Sequence, residues 1–108
     1  MQKTIEPTNF NASQELLTHI SGLFDSLPKY HDRIVSADIH LTSLRETDTR
    51  EKEVKLRVHL PGRELFLAKS ADTFITAAQS AYDAAKRKLH DLKEQDKRNR
   101  QLRPDKVV

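Results

Sequence analysis

The chain of 108 residues is long enough for one compact domain and too short for two. It contains no Cys, which excludes a disulfide framework, a thiolate nucleophile and the common Cys-based zinc sites. No apolar run approaches the roughly 20 residues that a membrane span needs, and the first residues lack the basic start and apolar stretch of a signal peptide. These features predict a soluble, cytoplasmic protein that makes no contact with a membrane.

The net charge of +3 is distributed unevenly along the chain. Residues 1–85 hold 10 Lys and Arg against 12 Asp and Glu, whereas residues 86–108 hold 9 against 4. Clustered cations gain free energy when they release counterions from a phosphate backbone, so this asymmetry indicates an anionic partner for the carboxy-terminal end. The alternative is a solvated helix end followed by a frayed tail.

The amino-terminal part of the chain predicts a strand followed by a helix. Residues 2–7 alternate and end at Pro7, as an edge strand often does. Asn11, Ser13 and Gln14 then offer capping side chains, and apolar residues recur at helical spacing until Pro28. These apolar residues are Leu16, Leu17, Ile20, Leu23, Phe24 and Leu27.

The middle of the chain predicts three strands. Between 34 and 44 a two-residue period places Val35, Ala37, Ile39 and Leu41 on one face. Residues 45–52 carry no apolar side chain and predict a polar loop, and the alternation resumes over 54–60. Pro61-Gly62 suits a tight type II turn, which leads into a strand over 64–69.

The carboxy-terminal part predicts a helix that Asp72 caps. Its single apolar stripe consists of Phe74, Ala78, Ala81, Ala85, Leu89 and Leu92. Beyond about residue 95 the chain is almost wholly polar, so we predict a folded domain over 1–95 and a basic, disordered tail over 96–108. The elements predict an α+β fold: a two-layer sandwich in the order β-α-β-β-β-α, with a four-stranded sheet and both helices on one face.

The polar residues show no arrangement suited to catalysis or metal binding. The five His, at 19, 31, 40, 59 and 90, form no close pair in the sequence, and only His40 and His59 could meet, on neighbouring strands. We interpret them as surface residues, and Asp83 with Arg87 at helical spacing four as part of an ion-paired surface. The two Gly are too few for the Gly-rich phosphate loops. We therefore predict a protein that is not an enzyme, with no cofactor and no small-molecule substrate.

A row of cations on the last helix is the best candidate site. Lys86, His90, Lys93 and Lys97 stand at i, i+4, i+7 and i+11 and share one face, which Arg87 and Lys88 flank. Such a row suits successive phosphates of a structured RNA, because A-form RNA is generally recognised by shape, phosphates and 2′-hydroxyls. The alternative is that these charges only solvate the helix.

Four segments occur in an order that resembles a known family. They are residues 32–38 (DRIVSAD), residues 60–66 (LPGRELF), residues 72–74 (DTF) and residues 86–89 (KRKL). Through them, over roughly residues 1–95, the chain resembles the ribosome hibernation promoting factor family, also called ribosome-associated inhibitor A and sigma-54 modulation protein, in its short form. The resemblance implies a fold similar to the double-stranded RNA-binding domain.

The resemblance also implies a function: docking on the small ribosomal subunit where messenger and transfer RNA would lie, contact with ribosomal RNA, and inhibition of translation by occupancy. We expect the free protein to be monomeric. The alternative is a protein-interaction or regulatory domain of the same fold that does not bind ribosomes.

Carried over by position, Arg87 matches the family's basic residue before the leucine of the last helix, and Lys86, Lys88 and Lys93 fall in its basic stretch. Family members often carry Lys or Arg along the first helix too, whereas residues 11–28 contain none, which predicts a weaker cationic groove. The candidate RNA-binding residues are Lys86, Arg87, Lys88, His90, Lys93, Lys97, Lys29 and Arg33.

Overall fold

The computed structural model describes residues 1–43 and 52–101, with side chains as far as Arg98. Its elements are β1 (Gln2–Pro7), α1 (Gln14–Phe24), a short 3-10 helix (Leu27–Lys29), β2 (Ser36–Ser43), β3 (Lys52–Leu60), β4 (Arg63–Ala71) and α2 (Phe74–Gln101). The predicted order β-α-β-β-β-α is confirmed. The polar loop predicted over 45–52 lies outside the described residues, except for Lys52, which begins β3.

The four strands form one sheet in the order β1-β2-β3-β4. β1 runs parallel to β2, so the chain must cross over between them, and α1 lies in this crossover. β2, β3 and β4 are antiparallel neighbours. Gly62 has a φ of 77° in the β3–β4 turn, the positive value that the predicted turn requires of its second central residue.

The sheet has one apolar face, and both helices cover it. Ile5, Ile39, Leu56 and Leu67 stand opposite one another across the four strands, and the last three are buried. Together with α1 and α2, the inward residues of the strands form one hydrophobic cluster. Burying each large side chain of this kind contributes roughly 1.5–3 kcal/mol, so the predicted two-layer packing is the main stabilising feature of the fold.

α1 is shorter than its apolar periodicity predicted. Ser13 caps it, since the Leu16 N–H donates to Ser13 Oγ at 3.1 Å. The helix ends at Phe24, and Pro28 lies inside the 3-10 helix, so the prediction that Pro28 stops α1 is wrong. Pro28 occupies the first turn of the 3-10 helix, where its missing N–H leaves no hydrogen bond unmade.

β2 begins later than predicted, and Val35 does not belong to its buried face. Val35 is 57% exposed, although its N–H still donates to the His59 carbonyl at 2.8 Å. The inward face starts at Ala37, because Val35 precedes the part of the strand that the helices cover.

α2 is a long helix with a narrow apolar stripe. Its cap is Thr73, whose Oγ1 accepts from the Thr76 N–H at 3.1 Å, so the prediction that Asp72 caps this helix is wrong. The helix continues past the predicted domain boundary at 95 to Gln101. Residues 102–108 lie outside the described residues, and disorder of the tail stays a prediction.

Candidate nucleic-acid interface

The predicted cationic row lies along one side of α2. At about 100° per residue, Lys86, His90, Lys93 and Lys97 fall within about 60° of one another around the helix axis, and the row extends for about 16 Å. His90 and Lys97 are exposed, and Lys86 and Lys93 are partly buried. Because Leu89 is buried on the neighbouring face, the row borders the core side of the helix.

Arg87 and Lys88 occupy different sides of α2. Both are exposed, with Arg87 facing outward and Lys88 about 200° around the axis from Lys86. The predicted pairing of Asp83 with Arg87 is wrong: among the described side chains no ion pair joins them, and Asp83 Oδ1 accepts from Gln79 Nε2 at 3.1 Å instead. The Arg87 charge is therefore available to an external anion.

A pair of tyrosines positions the beginning of the row. Tyr82, on α2, donates a hydrogen bond to Tyr30 at 3.2 Å, and its hydroxyl lies 2.5 Å from Ser26 Oγ. The Lys86 ammonium lies 5.8 Å from the centroid of the Tyr30 ring, within cation–π range. The pKa of Tyr30 is raised, mainly by the hydrogen bond with Tyr82 and to a smaller extent by partial burial. The ring that Lys86 covers is therefore a neutral phenol.

The connector between α1 and β2, residues 25–35, brings two further predicted residues to this side of α2. Lys29 and Arg33 are exposed and flank Tyr30 and His31, both of which face α2. The structure thus brings the segment that carries Lys29 and Arg33 against α2, beside Lys86. This surface, made of the connector and the row, is called the basic flank below.

His31 holds the connector in place, and the prediction that all five His are surface residues is wrong for it. The His31 side chain is only 3% exposed. The Arg33 N–H donates to its Nδ1 at 3.1 Å, so in the neutral ring the proton lies on Nε2. Nε2 lies 3.4 Å from Asp96 Oδ2 on α2, without the geometry of a hydrogen bond.

Asp96 joins the carboxy-terminal half of α2 to the rest of the fold. Its carboxylate forms an ion pair and a hydrogen bond with Arg63, the first residue of β4, and faces His31 from the other side. Partial burial alone would raise the pKa of Asp96, but the hydrogen bond and charge of Arg63, helped by His31, outweigh it and lower the pKa. Asp96 therefore remains ionised and secures the part of the helix that carries Lys93 and Lys97.

α1 presents no cation to this surface. Its exposed residues include Gln14, Glu15, Thr18 and His19, which border a shallow depression. The nearby Lys3, on β1, is engaged by the Asp25 carboxylate and the Ser21 carbonyl. The basic flank is thus bounded by a nearly uncharged helix.

The remaining histidines do not gather into a metal site. His40 and His59 do not stand opposite each other: His40 Nδ1 lies 3.5 Å from Glu6, whereas His59 lies 3.0 Å from both Asp38 and Glu64. In residues 1–43 and 52–98 no group of three or more His, Asp or Glu could hold a metal ion. Across the same part of the chain, no helix is both long and apolar enough to cross a membrane.

Sequence reasoning missed the residues that position the basic flank, namely Tyr30, Tyr82, His31, Asp96 and Arg63. They come from four segments that are distant in the sequence, and apart from Tyr82 none stands out by charge or periodicity. Tyr82 alone gave a signal, since it lies one position from the apolar stripe and is a large residue among alanines.

Two solved structures share this fold. The N-terminal domain of Protein Y from Thermus thermophilus matches with a TM-score of 0.71 at 15% identity, over 85% of this chain and 99% of that chain. A ribosomal subunit interface protein from Coxiella burnetii matches with a TM-score of 0.63 at 18% identity, over 90% of this chain and 98% of that chain. At these identities the match defines a structural class, the small β-α-β-β-β-α domain with a four-stranded sheet.

The sequence defines the family. Residues 4–97 match the family described as Sigma 54 modulation protein / S30EA ribosomal protein. The chain is also 30% identical over 95 residues to the ribosome hibernation promoting factor of Acinetobacter guillouiae, covering 82% of this chain and 84% of that relative. The protein belongs to the Sigma 54 modulation protein / S30EA ribosomal protein family, and the family resemblance noted in the sequence is confirmed.

Proposed function

We propose that this protein binds the small ribosomal subunit in the channel for messenger and transfer RNA, contacts ribosomal RNA phosphates through its basic flank, and halts translation by occupancy. Its relatives are named as a ribosome hibernation promoting factor and a ribosomal subunit interface protein, which supports the ribosome as partner. In this proposal the protein acts in the cytoplasm as a monomer, without a cofactor, and transforms no substrate.

The observation that carries the proposal is the unneutralised row on α2. Among the described side chains, no ion pair engages the side-chain nitrogens of Lys86, Arg87, Lys93 or Lys97. Several cations elsewhere in the domain are paired: Lys3 with Asp25, Arg57 with Glu64, and Arg63 with Asp96. The row therefore needs no internal pair to be broken before it binds phosphate, and such contacts gain from counterion release.

Occupancy of the channel requires a rigid body that holds its cations in place. The Tyr30–Tyr82 pair and the Asp96–Arg63 pair fix both ends of the row to the core, so little ordering entropy is lost when phosphates bind. α1, which carries no Lys or Arg, limits RNA contact to one side of the helical layer. The proposed mode is therefore binding along α2 and the connector.

The direct test is sedimentation of the purified protein with small subunits, large subunits and intact ribosomes on sucrose gradients at low and moderate salt. We expect co-migration with the small subunit that weakens as salt is raised. Absence from every ribosomal fraction, even at low salt, would contradict the proposal and favour a protein-interaction domain of the same fold.

A charge-reversal variant tests the site itself. Lys86→Glu with Arg87→Glu should abolish co-migration, because both positions lie on or beside the row. The matched control is Lys69→Glu, a charge reversal on β4. Unchanged association of the double variant, with unfolding by urea like that of the native chain, would remove the row from the proposed interface.

A further inference from the structure

The face of the sheet that the helices leave uncovered carries an aromatic residue among polar ones. This open face includes Asp38 and His40 on β2, Lys55 and Arg57 on β3, and Phe66 on β4, all pointing away from the core. Phe66 is 53% exposed, although phenylalanine is among the residues most often buried. No neighbouring side chain of the described sheet encloses it.

Phe66 borders a depression of about 320 Å³ whose other walls are Thr8, His40, Thr42, Lys55 and Arg57. The strand register explains this space: Arg57 stands opposite Phe66, and Lys55 stands opposite Ala68, whose methyl group cannot fill it. The Arg57 guanidinium lies 5.5 Å from the centroid of the Phe66 ring. The depression thus has a flat cation–aromatic pair at one end, with the Lys55 ammonium and the His40 imidazole beside it.

The charges around the depression favour an anionic occupant. Its walls include three basic side chains and no carboxylate. Each of these side chains has one carboxylate nearby that does not line the depression. The distances are 3.5 Å from His40 to Glu6, 3.9 Å from Lys55 to Glu53 and 3.6 Å from Arg57 to Glu64. Exposed pairs of this length are weak, so a phosphate inside the depression can compete with them.

We propose that the open face binds one unstacked nucleotide of a single-stranded RNA, with its base stacked on Phe66 and Arg57 and its phosphate beside Lys55 and His40. Aromatic rings and guanidinium planes stack on bases of any sequence, and neighbouring cations follow the backbone. The proposal extends the ribosome-binding function proposed above, because it gives the protein a second RNA contact on the layer opposite α2.

A second copy of this chain fits the same surface poorly. Residues at the axis of a two-fold pairing meet their own counterparts, so a pairing of open faces centred on the depression would bring Lys55 and Arg57 of one copy against the same cations of the other. Like charges placed together across an interface oppose association. A nucleotide satisfies both features of the depression, since it supplies a planar ring and a negative charge a few ångströms apart.

The test uses the full chain and a short single-stranded oligoribonucleotide that carries 2-aminopurine, a base whose fluorescence falls when it stacks. We expect saturable quenching by the native protein. Phe66→Thr replaces one residue of high strand propensity with another and should weaken binding roughly tenfold or more, because it removes the stacking surface. The matched control is Ile75→Ala, which removes another exposed apolar residue, 48% exposed on α2, and should leave quenching unchanged.

Two further measurements separate this proposal from the others. The Lys86→Glu/Arg87→Glu variant should lose co-migration with the small subunit and still quench the oligonucleotide, so the two RNA contacts can fail independently. Equal quenching by Phe66→Thr and the native chain, or quenching lost only in the α2 variant, would overturn the proposal. A concentration-dependent dimer in sedimentation equilibrium that Phe66→Thr abolishes would also overturn it, in favour of a second copy on this face.

Discussion

Removing two charges from the middle and end of the cationic row should change how binding to the small subunit depends on salt. The variant is Lys93→Gln with Lys97→Gln, which keeps two long polar side chains on α2. For phosphate contacts the slope of log affinity against log salt is about 0.7–0.9 per phosphate neutralised, so losing two contacts should reduce the slope by about 1.4–1.8. Between 50 and 200 mM salt, the native affinity should therefore fall about sevenfold to twelvefold more than that of the variant.

The assay is a titration of labelled protein with small subunits, followed by anisotropy at several KCl concentrations. Lys69→Gln provides the control, since it removes a positive charge from β4, far in sequence from the row, and should leave the slope unchanged. An unchanged slope in the α2 variant would refute the assignment of Lys93 and Lys97 to phosphate contacts. Equal reductions in the variant and the control would mean that only the net charge matters.

Three further predictions concern the elements that support the two faces. Thr73→Ala should lower the free energy of unfolding in urea by about 1 kcal/mol, whereas Asp72→Ala should change it little, because Thr73 is the cap. Asp96→Ala should speed hydrogen exchange over 90–101 and spare 74–85, because it frees the distal half of α2 from Arg63; uniform exchange would contradict this. The pKa of Asp38 lies below its usual 3.8, mainly because Thr4 donates a hydrogen bond to its carboxylate and, to a smaller extent, because of the hydrogen bond with His59. The native state then binds fewer protons than the unfolded chain, so stability is lost as pH falls from about 4 through the native pKa, and Asp38→Asn should flatten this loss in thermal melts.

The alternation of apolar and polar residues was sufficient to predict the layers of the fold. Strands with one buried face have a strict two-residue period, and β3 obeys it from Val54 to Leu60 without interruption. The ends of elements were predicted less well, since they depend on local competition. Asp72 and Thr73 are both capping residue types, and only the path of the backbone decided between them.

Only part of the candidate site could be predicted, because some of its features are local in the sequence and others are not. The row on α2 follows from helix geometry, so its members could be read from their spacing. The contacts that position it join residues distant in the chain: His31 with Asp96, Asp96 with Arg63, and Tyr30 with Tyr82. No local pattern in the sequence encodes such pairs. The depression beside Phe66 likewise depends on the register that sets Lys55 opposite Ala68.

The alanines of α2 connect the packing of the core to the geometry of the basic flank. The buried face of this helix includes Ala77, Ala78, Ala81, Ala84 and Ala85, so its axis can lie close to the sheet. Tyr82 and Lys86 lie one turn apart on the same side of this helix. Tyr82 donates a hydrogen bond to the Tyr30 hydroxyl and the Lys86 ammonium lies over the Tyr30 ring, so the position of the helix axis sets both contacts with the connector. Leucines in place of these alanines would lift the axis and separate Lys86 from Tyr30. The small residues thus set the distance between Lys86 and the connector, on which the proposed RNA-binding surface depends.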